Sequence, residues 1–410
     1  MPFRHTFVTT LFVVLTSTSL QASAQAVAAT SAEPTAEQMR RPLHTWSQAE
    51  REWGFRNAEQ YAITRVIKRG ATVSALDDAP PLAALATGTA RGALVDQYVR
   101  DYKVGGLLVL HDGRIRLERY ALGHSAEQRW TSFSVAKSLT STLVGAALKD
   151  GYIKSLDDPL GKYIKGMNGS AYDGVTVRQL LTMTTGVKWN EDYTDPKADV
   201  WQLFATAPDA DTDPAVSYLR KLPRAAPAGR KWLYNTGETN LLGALISQAT
   251  GKSLSVYLSE KIWAPYGMQA DATWRLGVTN NEQAGCCIQA TLRDYARVGQ
   301  FILDGAKING KSIVPDGFMA AATNKQADIG AAGRGYGYQW WTRDDGTYAA
   351  VGIHGQLMHI DPARKLVVVI NAAWPVAHGQ KEVSARNEAT NAIAAAIDAE
   401  KALLLPPTVR

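Results

Sequence analysis

Cysteine is the scarcest residue in this 410-residue chain: there are two, Cys286 and Cys287, side by side. Adjacent residues rarely meet ordinary disulfide geometry, so the pair reads as two small buried residues and not as a redox pair or a disulfide framework. Histidine is nearly as scarce, with seven in all. No His-Glu-x-x-His occurs, and His354 and His359 have no third ligand nearby, so the sequence implies no metal and no other cofactor. There is no basic block. The formal charge of +6 is spread along the chain, which argues against a nucleic-acid partner. No apolar run reaches the length of a membrane span. Gly-x-Ser-x-Gly is also missing, which excludes the commonest type of serine hydrolase.

What is present begins with an export signal. Arg4, an apolar stretch from Thr6 to Leu20 and the small-residue site Ala22-Ser23-Ala24 fit a signal peptide over residues 1–24. The expected product is secreted, with the periplasm as its compartment, and free of any membrane span once the signal is removed. Residues 25–45 read as a linker, and 46–103 as an N-terminal helical extension with helices near Gln48–Lys68 and Gly92–Tyr102. Strand-like runs flank the turn His111-Asp112-Gly113 and recur at Tyr336–Trp341, Tyr348–Ile353, Gln356–Ile360 and Leu366–Ile370. Between them, residues 150–290 are mostly helical, with a proline- and aspartate-rich irregular excursion from Thr194 to Pro227. A last helix and tail occupy 381–410. The fold class is therefore α+β: an antiparallel sheet built from both chain ends and flanked by helices, with a mostly helical domain inserted, all within 104–380.

The chemistry concentrates at Trp130–Ser141. Apolar residues at helical spacing from Val135 to Leu148 predict a helix, with Gly151 just beyond its end. If Ser134 opens that helix, Lys137 lies one turn on along the same face. The hydroxyl then sits where free backbone N–H groups favour negative charge, a way to build an activated serine. The base is either Lys137 or Tyr234, from Trp232-Leu233-Tyr234-Asn235-Thr236. Both side chains ordinarily titrate near ~10, so either needs a buried or positive neighbour to work at neutral pH. Gly305–Ser312 matches a phosphate-loop pattern, but a helix precedes it and Pro315 follows, so Asn309-Gly310 reads as a tight turn.

Three motifs in this order resemble the serine β-lactamase and penicillin-binding family, its class C branch in particular: Ser134-x-x-Lys137, Tyr234-Asn235-Thr236 in the place of Tyr-x-Asn, and a late strand pair in the place of Lys-Thr-Gly. Leu180–Gly186, Pro265–Met268 and Ala290–Gly299 agree with it. Within that family the chain is most similar to the 6-aminohexanoate-dimer hydrolases, through Asn190-Glu191-Asp192-Tyr193, Gln339-Trp340-Trp341, Gly352-Ile353-His354-Gly355-Gln356 and Trp374-Pro375. The resemblance implies a β-lactamase/transpeptidase-like fold and an exported serine hydrolase.

It also implies roles. Ser134 is the nucleophile, Lys137 and Tyr234 share the proton work, and the N–H groups of Ser134 and Ile353 form the oxyanion hole. Gly352 allows close approach. Thr236 and His354 border the substrate, and Tyr193 meets the nitrogen of a scissile amide. Two departures matter. Ala350-Val351-Gly352 stands where Lys-Thr-Gly would hold a penicillin carboxylate, and Thr236 replaces an amide side chain. Both point to small linear amides or carboxylic esters. The acidic residue that accompanies amide-oligomer activity has no clear match in residues 197–230. The alternatives are a β-lactamase or D-alanyl carboxypeptidase, and a non-catalytic binding or sensor protein on the same scaffold.

Overall fold

The computed structural model describes residues 1–2 and 33–404, so the signal-peptide reading falls almost wholly outside the described residues. At the centre of the fold is Leu366–Ala372, a strand with every residue buried. It pairs antiparallel with Val104–His111 from the front of the chain, Val368 opposite Val109. Seven strands follow in the order Arg114–Tyr120, Val104–His111, Leu366–Ala372, Leu357–Asp361, Tyr348–Val351, Trp341–Arg343 and Arg334–Tyr336. The two chain ends thus build one antiparallel sheet, as the sequence predicts. Its first hairpin turns at Asp112 and Gly113, both at positive φ (53° and 74°), the conformation a two-residue hairpin loop requires.

Side chains alternate across this sheet. Leu366, Val368 and Ile370 pack with Val95, Tyr98, Ile393 and Ile397, from the helices Ala90–Asp101 and Gln380–Leu404. Val367 and Val369 face the larger core, with Leu143, Val298 and Phe301 from Ala136–Lys149 and Leu292–Leu303. The helix Ala136–Lys149 is buried continuously from Ala136 to Ala147. Three of its hydroxyls are bonded inside the protein: Ser138 donates to the Gln339 carbonyl at 2.7 Å, Thr140 to the Ala284 carbonyl at 2.9 Å and Thr142 to the Ser138 carbonyl at 2.9 Å.

Several expectations need correction. Residues 36–45 do not form a linker. Thr35 and Gln38 close a capping box on the helix Ala36–Met39, and Met39 is buried. The helix from Gln48 ends at Arg56, and Thr64–Ile67 is a strand. That strand belongs to a second sheet, in the order Thr64–Ile67, Ala272–Arg275, Ile288–Thr291, Arg129–Thr131. Tyr336–Trp341 is not one strand: the chain reverses between Tyr336 and Trp341, which face each other in adjacent strands. The excursion from Thr194 to Pro227 holds two short helices, Asp199–Ala205 and Pro214–Leu219. The phosphate-loop decoy is a small hairpin, with Asn309 and Gly310 at φ 50° and 76°.

Candidate active site

The Arg129–Thr131 strand leads into a single 3₁₀ turn, Phe133–Val135, and then into the buried helix. Phe133 takes φ 43°, a left-handed conformation that costs a bulky residue about 1–2 kcal/mol and lifts Ser134 out of the strand direction. Ser134 is 8% exposed and Lys137 1%. As the three-residue spacing predicts, the two meet, with Nζ 3.0 Å from Ser134 Oγ. Lys137 Nζ also lies 3.0 Å from Thr236 Oγ1 and donates to the Gly285 carbonyl at 2.7 Å. Burial pushes this amine down to about 8, and the Glu191 carboxylate opposes the shift.

Tyr234 precedes the helix Thr236–Thr250, whose N-cap is Asn235, its side chain accepting from the Glu238 N–H. The Tyr234 ring stacks on Trp341, centroids 5.6 Å apart, and lies 5.2 Å from Lys137 Nζ. Burial pushes its phenol up, the Glu191 charge adds to this, and a hydrogen bond with Ser134 works the other way. Of the two candidate bases, the amine is therefore shifted toward its basic form and the phenol away from it.

The residue that sequence reasoning quoted without a role is Glu191. Its carboxylate accepts from the Tyr193 hydroxyl at 2.6 Å, the Thr236 N–H at 3.0 Å, the Thr236 hydroxyl and the Trp189 indole N–H. Thr236 is thus the bridge between Lys137 and Glu191. Tyr193 stands beside Thr236 with its hydroxyl committed to Glu191, and burial and the carboxylate push that phenol well up. A signal was available: an acid two residues from a tyrosine, in a loop next to a serine–lysine pair.

On the opposite side, Gly352 presses against the nucleophile's strand. A Cβ there would sit 2.7 Å from the Ser132 carbonyl oxygen and 3.1 Å from the Phe133 Cβ. Glycine is required for this approach, but Gly352 packs on backbone and is not among the residues lining the cavity. Among the described residues the N–H groups of Ser134 and Ile353 donate to no protein acceptor, and both residues line one cavity. Gln356 pins the Ile353 turn, donating to the carbonyls of Ile353 and His354 at 3.2 Å each and of Ala372 at 2.7 Å. His354 is a correction. It is 4% exposed, its Nδ1 lies 2.8 Å from the Trp374 carbonyl oxygen, and its ring packs on Phe55 and Phe133. It holds the turn from behind and does not border the substrate.

The cavity measures about 390 Å³, a small-molecule volume. Ser134, Thr236, Tyr193 and Ile353 lie at one end; the rest is lined by the aromatics Trp46, Phe55, Tyr61, Trp201 and Phe204 together with Arg40, Arg41 and Arg275. Cys286 and Cys287 belong to this lining and form a disulfide with each other. The expectation of two free thiols fails because Cys287 adopts φ 73°, a left-handed bend that turns the two side chains together.

These features can be set against known proteins. The family model described as Beta-lactamase matches residues 92–395. The chain belongs to the beta-lactamase family. It is 30% identical over 350 residues to the 6-aminohexanoate-dimer hydrolase of Paenarthrobacter ureafaciens, covering 81% of this chain and 88% of that one. A solved structure from Bacillus anthracis, provisionally described as a 6-aminohexanoate-dimer hydrolase, superposes with a TM-score of 0.73 at 26% identity, over 86% of this chain and 95% of the other. A D-stereospecific amidohydrolase of Streptomyces shares the fold, with a TM-score of 0.54 at 21% identity over 72% and 98% of the two chains. This protein is a serine hydrolase of the beta-lactamase fold, close to the 6-aminohexanoate-dimer hydrolases.

Proposed function

We propose that the protein cleaves linear amides or carboxylic esters through an acyl-enzyme on Ser134. The observation that carries this reading is the buried Lys137 amine, 3.0 Å from Ser134 Oγ and shifted down to about 8. In its neutral form it takes the Ser134 proton as Oγ attacks the carbonyl carbon. The oxyanion that develops is met by the unengaged N–H groups of Ser134 and Ile353, an arrangement whose loss costs ~100-fold or more in rate. Tyr234, whose ring lies 5.2 Å from Lys137 Nζ, gives its phenolic proton to the leaving group and recovers one from the Lys137 ammonium, which returns the amine to its neutral form. A water then clears the acyl-enzyme with Lys137 again as base.

Ala350-Val351-Gly352 beside the nucleophile offers no ammonium or hydroxyl to a penicillin carboxylate. We also propose that the protein works outside the cytoplasm. The Cys286–Cys287 disulfide supports an oxidising compartment, as does the signal-like start of the sequence.

The test is mass spectrometry after a fluorophosphonate probe, beside progress curves on p-nitrophenyl esters, linear amides and nitrocefin. Ser134 should carry the label, and esters or amides should turn over while Ser134→Ala does not. Label on another residue ends the serine reading. Nitrocefin turnover at ~10⁵ M⁻¹s⁻¹ or more, typical of a dedicated enzyme, would make the protein a β-lactamase. For Tyr193, the expected result is a loss of ~10-fold or more on amides and a few-fold at most on matched esters in Tyr193→Phe. Equal losses would place Tyr193 with Glu191 as a support and not at the leaving nitrogen.

A further inference from the structure

The cysteine pair borders the cavity and is tied into the catalytic network at both ends. Residue 285, immediately before it, supplies the carbonyl that accepts from Lys137 Nζ at 2.7 Å. Gly285 leaves no room for a side chain. A Cβ there would meet Thr236 Cγ2 at 2.9 Å and Asn240 Nδ2 at 3.1 Å. After the pair, the Cys287 N–H donates at 3.3 Å to the carbonyl of Phe133, the residue before the nucleophile. The Cys286 carbonyl accepts from the Trp274 indole at 2.9 Å and the Cys287 carbonyl from Gln289 at 2.9 Å. So a four-residue stretch from Ala284 to Cys287 touches the base on one side and the nucleophile's turn on the other. The bond between the two sulfurs holds its backbone in a bend with φ 73° at Cys287. No other cysteine exists in the chain to compete for either sulfur.

We propose that Cys286 and Cys287 are redox-responsive positioning residues for the Ser134–Lys137 pair: the disulfide fixes the Gly285 carbonyl that holds Lys137, and its two-electron reduction by a dithiol releases that carbonyl and lowers turnover. Cys286 is the partly exposed partner, whereas Cys287 is 6% exposed. A thiolate of the dithiol attacks the Cys286 sulfur. The Cys286–Cys287 bond breaks, Cys287 leaves as a thiolate and takes up a proton, and a mixed disulfide remains on Cys286. The second thiol of the reductant resolves it, freeing the Cys286 thiol and leaving the reductant as a disulfide. Two electrons and two protons pass to the protein, and an oxidant of the disulfide class reverses the change. Without the bond, Cys287 no longer has a covalent reason to stay left-handed, and the 284–287 backbone relaxes toward ordinary φ. A displacement of about 1 Å in a catalytic group can cost ~100-fold in rate, so a modest relaxation suffices.

This inference rests on the acyl-enzyme reading, and the experiment separates the two. Full-length protein is treated with dithiothreitol, freed of it by gel filtration, assayed on p-nitrophenyl esters and then reoxidised with oxidised glutathione. Thiols are counted by alkylation and mass spectrometry at each stage. The expected result is a disulfide in the starting protein, two thiols after reduction, a fall in kcat of ~10-fold with a smaller change in KM, and recovery on reoxidation. The double variant Cys286→Ser with Cys287→Ser should sit at the reduced level and ignore both reagents. Two free thiols in untreated protein, a bond that resists reduction in the folded state, or reduced protein with unchanged kcat would each overturn the proposal. So would a double variant that responds like the wild type. Fluorophosphonate labelling of the oxidised form is run in parallel. If Ser134 is not labelled there, the serine reading has failed; if it is labelled and the redox state is silent, only this inference has.

Discussion

On one side of the catalytic cavity, Ser134, Lys137, Thr236 and Glu191 are joined by hydrogen bonds, one to the next. On the other, the 39–61 segment packs against the site mainly through aromatic rings, with Arg40 and Arg41 also lining the cavity: Phe55 lies edge-on to Phe133, centroids 4.8 Å apart, and packs on His354. The first side depends on direction, since a donor displaced by an ångström no longer serves its acceptor. The second depends on area, which is nearly indifferent to direction. Changes on the polar side should therefore appear in kcat, and changes on the aromatic side in KM and stability.

The largest effect expected is at Lys137. Lys137→Met keeps the volume and removes the amine, and should lower kcat/KM by ~10³-fold or more without loss of melting temperature, since a buried polar group leaves with it. On the proposed mechanism the active form of the wild type is the neutral amine. Activity should rise with pH through about 8, and a rate that falls through that range would remove Lys137 as the base. Glu191 comes next. Its charge holds the Lys137 titration up, so Glu191→Gln should move this limb to lower pH and reduce kcat by ~10–100-fold through misplaced Thr236 and Tyr193. A lowered kcat with an unmoved limb would leave Glu191 a structural role only. Trp201 tests the aromatic side. It borders the cavity and meets Tyr193 edge-on at 5.9 Å. Trp201→Ala should raise KM for bulky acyl esters several-fold and leave kcat within about 2-fold; a fall in kcat alone would break the division between the two sides.

The same division decides what could be read before the fold was known. The meeting of Ser134 and Lys137 was legible because local helical spacing brings them together, whereas Tyr234 reaches them through the tertiary fold. Thr236 was read as a substrate contact, and its position between Lys137 and Glu191 is a tertiary fact. The central sheet was legible because its strands alternate or are continuously apolar. The second sheet was not, since its strands run only three or four residues, too short for a period to show. The 35–61 segment carries capping signals at Thr35–Gln38 and Ser47–Glu50, yet nothing local says that Trp46, Trp53 and Phe55 should pack with Phe133 and Cys287. The disulfide was missed for a similar reason. Closing it requires a left-handed residue at Cys287 (φ 73°), which nothing in the adjacent pair announces.

A second carboxylate sharpens the comparison from within the polar side. Glu238 lies in the first turn of Thr236–Thr250 and is 2% exposed. One of its oxygens accepts from the Thr185 hydroxyl and from Asn235 Nδ2 at 3.2 Å. Glu191 faces four donors and a lysine; burial dominates Glu238 and pushes its carboxyl from 4.5 up to about 8. It is therefore a neutral acid at pH 7, where Glu191 is the group whose charge reaches Lys137. The sign follows from linkage. Between about 4.5 and about 8, the folded protein keeps a proton that the unfolded chain has lost. The stability this group contributes is thus fully present below about 4.5 and lost as pH rises toward about 8, by up to ~1.4 kcal/mol per pH unit. A glutamine supplies the same acceptor and a permanent neutral donor. Glu238→Gln should leave kcat within about 2-fold and match the wild type in denaturant unfolding at the acid end of that window. The two curves should separate as pH rises, with the variant the more stable by neutral pH. Parallel curves across the window would mean that Glu238 is ionised in the fold.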